Sequence, residues 1–566
     1  MPKFFLSFAC IASLVMSLTA CQAPESAPEP VAEPEPQAEA EKRQPNIIFI
    51  ITDDQRYDDL GFIGGAALTP HLNALAEGGM YLSQTYVTSS VCTPSRYTCL
   101  TGQYASRSQS PAFLNEITPE GITYVMWNQG FEPDQPTVPS VLQDTGYATG
   151  FVGKWHVGLD GKRPPFPEGA DPTDPSDPGL IQKLKGDQEV FSTYLKTLGF
   201  DFAKNIYIGN PDDDQNLKKA GLNVHNQEWL TQAGIEFIEE NKDQPFYLYF
   251  STTLTHVPEP TDSLLLDPRM SPVGMLEEPI TGVQPSREDV IKRVKEAGIP
   301  KELWGTTWLD DGVGAIVAKV EELGLAEDTL IIYFPDHGMA NWSKGTLYHG
   351  GMVAPTVAYW PGTIEAGTKL DHMTANTDFA STFFDLAGAT PPENMELDGA
   401  SIVDLLKGSD TPVRDSVYGE VGLTRSVTTS DGWKYLAFRV PPSKQRTLAE
   451  RMPEQLEAIE KLKKNHPWAK DNPSWTFIDP EARYAHLGQA AGGSFFERII
   501  LHQKDLPFMP NYHDPDQLYN LNDDPNETTN LADDPAHAAK LAEMKVLMQN
   551  YLNDVPGTFA ELKPEE

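Results

Sequence analysis

Cys92 stands three residues before Ser95 and four before Arg96, in the run SSVCTPSRYTCLTG from Ser89 to Gly102. A thiol in that setting can close a disulfide, bind a metal as thiolate, attack as a nucleophile, or be chemically altered after synthesis. The chain has four cysteines, Cys10, Cys21, Cys92 and Cys99, too few and too poorly placed for a disulfide framework. Carboxylates supply a second chemistry. Asp53 and Asp54 end the apolar run PNIIFIITDDQ, and Asp336, followed by His337, ends TLIIYFPDHG. Such oxygen donors suit a hard divalent cation such as Ca²⁺, whereas imidazole suits transition ions better. Arg96, Lys154 and Lys344 offer fixed positive charge. His156 and His256 titrate near neutral pH and can move protons.

These residues need a frame that brings them together. PNIIFIITDDQ, PFYLYFSTTLTH (Pro245 to His256) and TLIIYFPDHG read as buried parallel strands, each ending in a polar group. Helical patterns lie between them. TPHLNALAEGGM has Thr69 at the N-cap and Pro70 at the first helical position, and LDDGVGAIVAKVEELG closes at Gly324. Alternation of strand and helix to about residue 400 predicts an α/β sheet covered on both faces. Ligands then gather at the carboxyl ends of the strands, where Asp53, Asp54, His256, Asp336 and His337 all fall. The Pro- and Asp-rich stretches Arg163–Pro178 and Pro258–Pro279 read as loops on the same rim. Beyond about residue 405, DSVYGEVGLTRSVTTSDGWKYLAFRV predicts an antiparallel hairpin turning at Ser-Asp-Gly, and HAAKLAEMKVLMQNYLNDV an amphipathic helix. No internal repeat is present.

CTPSRYTCLTG resembles the signature of the type I sulfatases, in which the cysteine is oxidised to Cα-formylglycine (3-oxoalanine). Further matches follow in the family's order. TDDQ at Thr52–Gln55 resembles its first metal pair, and GKWHVG at Gly153–Gly158 its sulfate-contacting Lys and His. PDHG and KGTLYHGG resemble the second metal pair and second lysine, and DPDQLYNLNDDPNETTNLA the segment that closes these chains. The resemblance implies an alkaline phosphatase-like fold. A large mixed or parallel sheet is sandwiched by helices, with a smaller C-terminal α+β domain on an antiparallel sheet. It implies catalytic Cys92, Arg96, Lys154, His156, His256 and Lys344, and one Ca²⁺ held by Asp53, Asp54, Cys92, Asp336 and His337. His256 and Lys344 would serve the leaving oxygen, and His156 would take a proton when sulfate is expelled. Cys99 lacks the motif and reads as core.

Two positions depart from the family pattern. Asn is frequent where His337 stands, and Glu is common where His349 stands, so His349 is expected to line the substrate pocket. The segment Pro441–Lys504 is longer than the family's C-terminal part and carries Lys444, Arg446, Arg451, Arg483, His486 and Arg498. Arg483 and Arg498 are expected to hold sugar or sulfate groups, against the alternative of a solvated helix and loop.

The first twenty residues, with Lys3, an apolar run and LTAC, read as a secretory signal, and LTAC resembles a bacterial lipobox. Cleavage before Cys21 and lipidation there are expected, with residues 21–44, rich in Pro, Ala and Glu, as a tether. The remaining boundaries are a catalytic domain over 45–405 and a C-terminal subdomain over 406–566, with an insertion at about 441–504. The net charge of −38 opposes nucleic-acid binding and requires any anionic substrate to be captured locally. The expected protein is an envelope lipoprotein, anchored in the outer membrane through Cys21. It is matured by a formylglycine-generating or anaerobic maturase and removes sulfate from a sulfated polysaccharide or oligosaccharide, algal first and glycosaminoglycan second. A phosphonate or phosphate monoester hydrolase of the same superfamily, or a catalytically dead glycan-binding lipoprotein, are the alternatives.

Overall fold

The computed structural model describes residues 44–564, except 160, 341–342, 513 and all but isolated positions of 446–510. The expected signal, the tether with Cys21, and Arg483 and Arg498 therefore lie outside the described residues. Among the described residues no helix is long and apolar enough to cross a membrane.

The principal sheet is built around β1 (Asn46–Thr52), whose seven residues are all buried. Its neighbours are β2 (Met80–Leu82), β3 (Ala148–Lys154), β4 (Phe202–Tyr207), β5 (Phe246–Ser251), β6 (Thr329–Pro335), β7 (Thr356–Tyr359) and β8 (Thr368–Leu370). The order across the sheet is β8-β2-β7-β6-β1-β5-β3-β4. The central run β6-β1-β5-β3-β4 is parallel, and β7 runs antiparallel to both of its neighbours. Continuous apolar strands fit this arrangement because both faces are covered.

Alternation along β1 divides the core in two. Ile47, Phe49 and Ile51 enter one apolar cluster, and Ile48 and Ile50 the other. On the first face lie α2 (Cys92–Thr101), α3 (Val138–Asp144) and, after them in the chain, α8 (Asp378–Ala387), whose Phe379 ring lies 5.0 Å from Phe49. On the second face lie α1 (Pro70–Gly78), α5 (Gln227–Asn241) and α7 (Trp304–Glu322), with α6 (Arg287–Glu296) outside α7. Helix α4 (Pro178–Thr197) packs on β4 at the sheet's edge.

The start of α1 departs from expectation. Thr69 makes no side-chain cap; its Oγ1 accepts from the Gly61 N–H and donates to Asn73. The free N–H groups of His71 and Leu72 donate instead to Asp310 of α7, at 3.0 and 2.7 Å, so a distant carboxylate caps the helix. Beyond the main sheet, β9 (Ser416–Val421), β10 (Thr424–Thr429), β11 (Trp433–Phe438) and β12 (Asp516–Asn520) form an antiparallel sheet in chain order. Gly432, with φ of 88°, turns the chain between β10 and β11, and α9 (Ala538–Asp554) packs on those two strands. The Glu420 N–H donates to Thr88 O at 2.8 Å, tying this sheet to the segment before Cys92.

Candidate active site

Parallel pairing sets the level of the acids. Thr52 of β1 faces Pro335 of β6, so Asp53–Asp54 and Asp336–His337 leave adjacent strands side by side. The Asp336 N–H donates to Thr52 O at 3.0 Å and the Asp54 N–H to Asp336 Oδ1 at 3.4 Å. Asp54 takes φ of 52°, in the left-handed region that non-glycine residues seldom adopt.

Helix α2 is buried over its whole length and starts at Cys92. The Cys92 Sγ lies 3.5 Å from Asp53 Oδ1 and 3.6 Å from His337 Nε2. Burial pushes its thiol pKa up, although Lys154 and Lys344 pull the other way. One turn on, Arg96 points at the same acids. Its Nε and Nη2 donate to Asp336 Oδ2 at 3.2 and 3.0 Å, and Nη1 donates to Ser251 Oγ at the end of β5 at 2.5 Å.

Lys154 reaches the rim through a bulge. The register between β3 and β4 shifts at Val152/Gly153, and Gly153 has φ of 101°. A Cβ at Gly153 would lie 1.7 Å from Ser251 O, so the chain passes β5 there only as glycine. Lys154 Nζ donates closely to Asp53 Oδ2 and to Asn210 Oδ1. Lys344 Nζ donates to Asp54 Oδ1 at 2.5 Å. Burial would raise the Asp53 carboxyl, but Lys154, His256 and Arg96 hold it well below the usual carboxylate range.

The imidazoles differ in surroundings. His337 Nδ1 faces the carbonyl of Gly338 at 2.9 Å, an acceptor, and so carries a proton; Nε2 faces Asp54 Oδ1 at 3.0 Å and Asp336 Oδ1 at 3.6 Å. Burial disfavours a charge on His337, yet Asp336 and Asp54 hold its pKa well above the ordinary value. His256 Nε2 lies 3.4 Å from Asp54 Oδ2, and burial lowers its pKa. His156, at φ of 60°, has Nδ1 buried without a hydrogen-bond partner among the described residues and Nε2 3.8 Å from Asp213; burial and Lys154 push its pKa well down.

Ligand atoms of Asp54, Cys92, Asp336 and His337 lie within 4.8 Å of one another, as do those of Asp53, Asp54, Cys92 and His256. The two groups share Asp54 and Cys92, and each pairs two carboxylates with one imidazole nitrogen, a donor set that fits a divalent cation. With Nδ1 on the Gly338 carbonyl, Nε2 of His337 is the nitrogen that would bind it, a cation taking the place of the proton that Asp54 and Asp336 otherwise favour there.

His349 faces elsewhere. Its N–H donates to Glu527 Oε2 at 2.6 Å and its ring stands edge-on to Tyr86 with centroids 5.8 Å apart. It lines a polar cavity of about 400 Å³ with Tyr86, His372, Arg414 and Asn522, and burial with Lys434 nearby takes its pKa down to about 3. Of the basic residues in the long C-terminal segment, Lys444 lies over Tyr124 at 5.7 Å, while Arg483 and Arg498 fall outside the described residues. Asn210, Asp213 and Ser251 were not singled out in the sequence. Their signal was position alone: all three lie at or just beyond the ends of β4 and β5.

The sulfatase family model matches residues 45–389. Human arylsulfatase A is 29% identical over 417 residues, covering 66% of this chain and 70% of that protein. The N-acetylgalactosamine-6-sulfatase of Canis lupus familiaris is 26% identical over 407 residues, covering 66% and 68%. Among solved structures, Ps i-CgsB in complex with k-i-k-neocarrahexaose superposes with a TM-score of 0.54 at 21% identity, over 90% of this chain and 93% of that one. The chain whose β1, β6 and α2 bring Asp53, Asp54, Asp336 and Cys92 to the same strand ends belongs to the sulfatase family of sulfuric ester hydrolases, within the alkaline phosphatase-like superfamily.

Proposed function

We propose that this protein hydrolyses sulfate esters of a sulfated polysaccharide or its oligosaccharides, after Cys92 has been converted to Cα-formylglycine by a maturase. The observation that carries the reading is the place of Cys92, at the first turn of a wholly buried helix and within 3.6 Å of both Asp53 and His337. A glycan substrate is favoured by the names of two similar proteins, an N-acetylgalactosamine-6-sulfatase and a protein solved with k-i-k-neocarrahexaose. An algal glycan is proposed first and a glycosaminoglycan second. Lipidation at Cys21 would hold the enzyme at the outer membrane.

The net reaction adds water to the sulfate monoester and yields an alcohol and inorganic sulfate. The hydrated aldehyde at position 92 would supply an oxygen nucleophile and a second hydroxyl for expelling sulfate. Asp53, Asp54, Asp336 and His337 would hold one divalent ion, proposed as Ca²⁺, which supplies positive charge against the ester oxygens. Lys154 and Lys344 flank that point and add fixed charge to the same oxygens. Arg96 acts through Asp336 and Ser251, holding the acid in place. His256, 3.4 Å from Asp54, would serve the leaving oxygen together with Lys344; a pKa lowered by burial would make its protonated form a ready donor. His156, kept neutral by burial and Lys154, is the proton acceptor near α2, where Thr93 donates to its carbonyl at 2.8 Å.

Peptide mass spectrometry on protein made with a maturase should find an aldehyde at position 92. The same preparation should release sulfate from members of a panel of algal and animal sulfated oligosaccharides, and Cys92→Ala should not. An intact thiol in a preparation of full activity would remove the nucleophile proposed here. Faster cleavage of phosphate or phosphonate esters, measured side by side, would replace the substrate class. No sulfate released from any glycan by matured protein would favour the glycan-binding alternative.

A further inference from the structure

A second set of ligating side chains, sharing no residue with the active site, spans the junction of α1 and α7. Asp310 and Asp311 lie on α7, and His71 is the second residue of α1. Asp310 uses both carboxylate oxygens to cap α1, as described above, and each oxygen keeps a lone pair beyond that bond. Asp311 is fully buried; Arg293 of α6 takes its Oδ2, and Oδ1 has no hydrogen-bond partner among the described residues. His71 Nε2 faces that oxygen at 3.9 Å, beyond hydrogen-bonding range.

The ring of His71 is held in this position by α7 itself. A Cβ on Gly314, three residues after Asp311, would lie 2.4 Å from His71 Cγ, so the imidazole sits in the space a side chain would fill. One ligand atom from each of His71, Asp310 and Asp311 falls within 4.8 Å of the others. We propose that these three residues form a transition-metal site, of the class that takes Zn²⁺, joining the start of α1 to α7. Zinc bonds to imidazole and carboxylate measure about 2.0–2.2 Å, so two ligand atoms 3.9 Å apart can share one ion. Two carboxylates and one imidazole offer fewer oxygens than the roughly six to eight that Ca²⁺ takes, and suit a four-coordinate ion of the Zn²⁺ class.

The charge balance agrees. Asp310 and Asp311 are both buried, and Arg293 is the guanidinium that pairs with Asp311. A divalent cation offsets the surplus negative charge. The side chain of His71 is 45% exposed, which gives an ion a path from solvent.

The test counts zinc on the full-length, Ca²⁺-loaded protein after dialysis against micromolar Zn²⁺. Wild type is expected to retain one zinc per chain more than His71→Asn, and zinc is expected to raise the melting temperature of wild type only. His71→Asn keeps the backbone N–H that Asp310 caps and lies outside the active site, so its folding and sulfate-ester turnover should not change. Asp311→Asn, which preserves an acceptor for Arg293, should lose the same equivalent. Equal zinc content and equal thermal response in wild type and His71→Asn would overturn the assignment.

Discussion

Arg96 places Nε and Nη2 on a single oxygen of Asp336, Oδ2, and so leaves Oδ1 turned toward His337 Nε2 at 3.6 Å. The guanidinium thereby sets which carboxylate oxygen faces the proposed metal. Both groups are buried, so neither can swing out to solvent. Arg96→Lys keeps the charge but loses the two-pronged contact. We expect metal affinity and turnover to fall roughly 10–100-fold, the usual cost of removing a partner that orients a metal ligand. Calcium titration and steady-state rates on the variant are the check. Unchanged affinity with lost turnover would instead put Arg96 on the substrate.

Asn210 is the second acceptor for Lys154. Asn210→Ala leaves the ammonium on Asp53 but removes its second acceptor, at a cost of about 1–3 kcal/mol for a lost hydrogen bond to a charged group. Converted at 1.36 kcal/mol per tenfold, that is a fall in kcat/KM of about 5- to 150-fold. Metal content should stay the same, which a metal assay run beside the kinetics would establish.

Lys434 and Glu527 form an ion contact of 2.8 Å in which both side chains are buried. Glu527 also receives the His349 N–H, linking the chain's closing segment to the turn after Lys344. Glu527→Ala strands a buried ammonium and should cost about 3–5 kcal/mol. Lys434→Met/Glu527→Leu removes both charges and should be less destabilised than Glu527→Ala alone. Urea midpoints of the single and double variants test this non-additivity.

His225 is fully buried between Thr253 Oγ1 at 2.7 Å and Pro258 O at 2.8 Å, and burial lowers its pKa to about 4. A depressed folded-state pKa means that the neutral form is the one folding favours. The contribution is therefore complete above the unfolded value near 6.5 and is lost as pH falls toward 4. The difference amounts to roughly 3 kcal/mol across that window. In His225→Gln the stability difference between pH 7 and pH 4.5, measured by urea unfolding, should shrink by a comparable amount.

Much of the site was legible before any fold was known, because its residues sit in short contiguous runs. Strand-ending acids at Asp53 and Asp336 predict a rim position, since a buried apolar strand can end in a carboxylate only where charge partners wait. CTPSR, GKWHVG and KGTLYHGG marked Cys92, Lys154 and Lys344 in the same way. What stayed hidden were partners from unrelated parts of the chain. Asn210 and Asp213 lie in a loop of ordinary polar composition, and the cap that Thr69 was expected to provide comes from Asp310 instead.

The amino-acid order by itself determined which strands are buried, where each ends, and which side chains stand at those ends, because hydrophobic period and turn residues act over a few neighbours. Only the tertiary structure decided who meets whom. The parallel register of β1 with β6 sets Asp53 beside Asp336, the bulge at Gly153 aims Lys154 at both Asp53 and Asn210, and α7 packs Asp311 against His71. Those pairings join residues far apart in the chain, and local sequence carries no record of the packing that closes such distances.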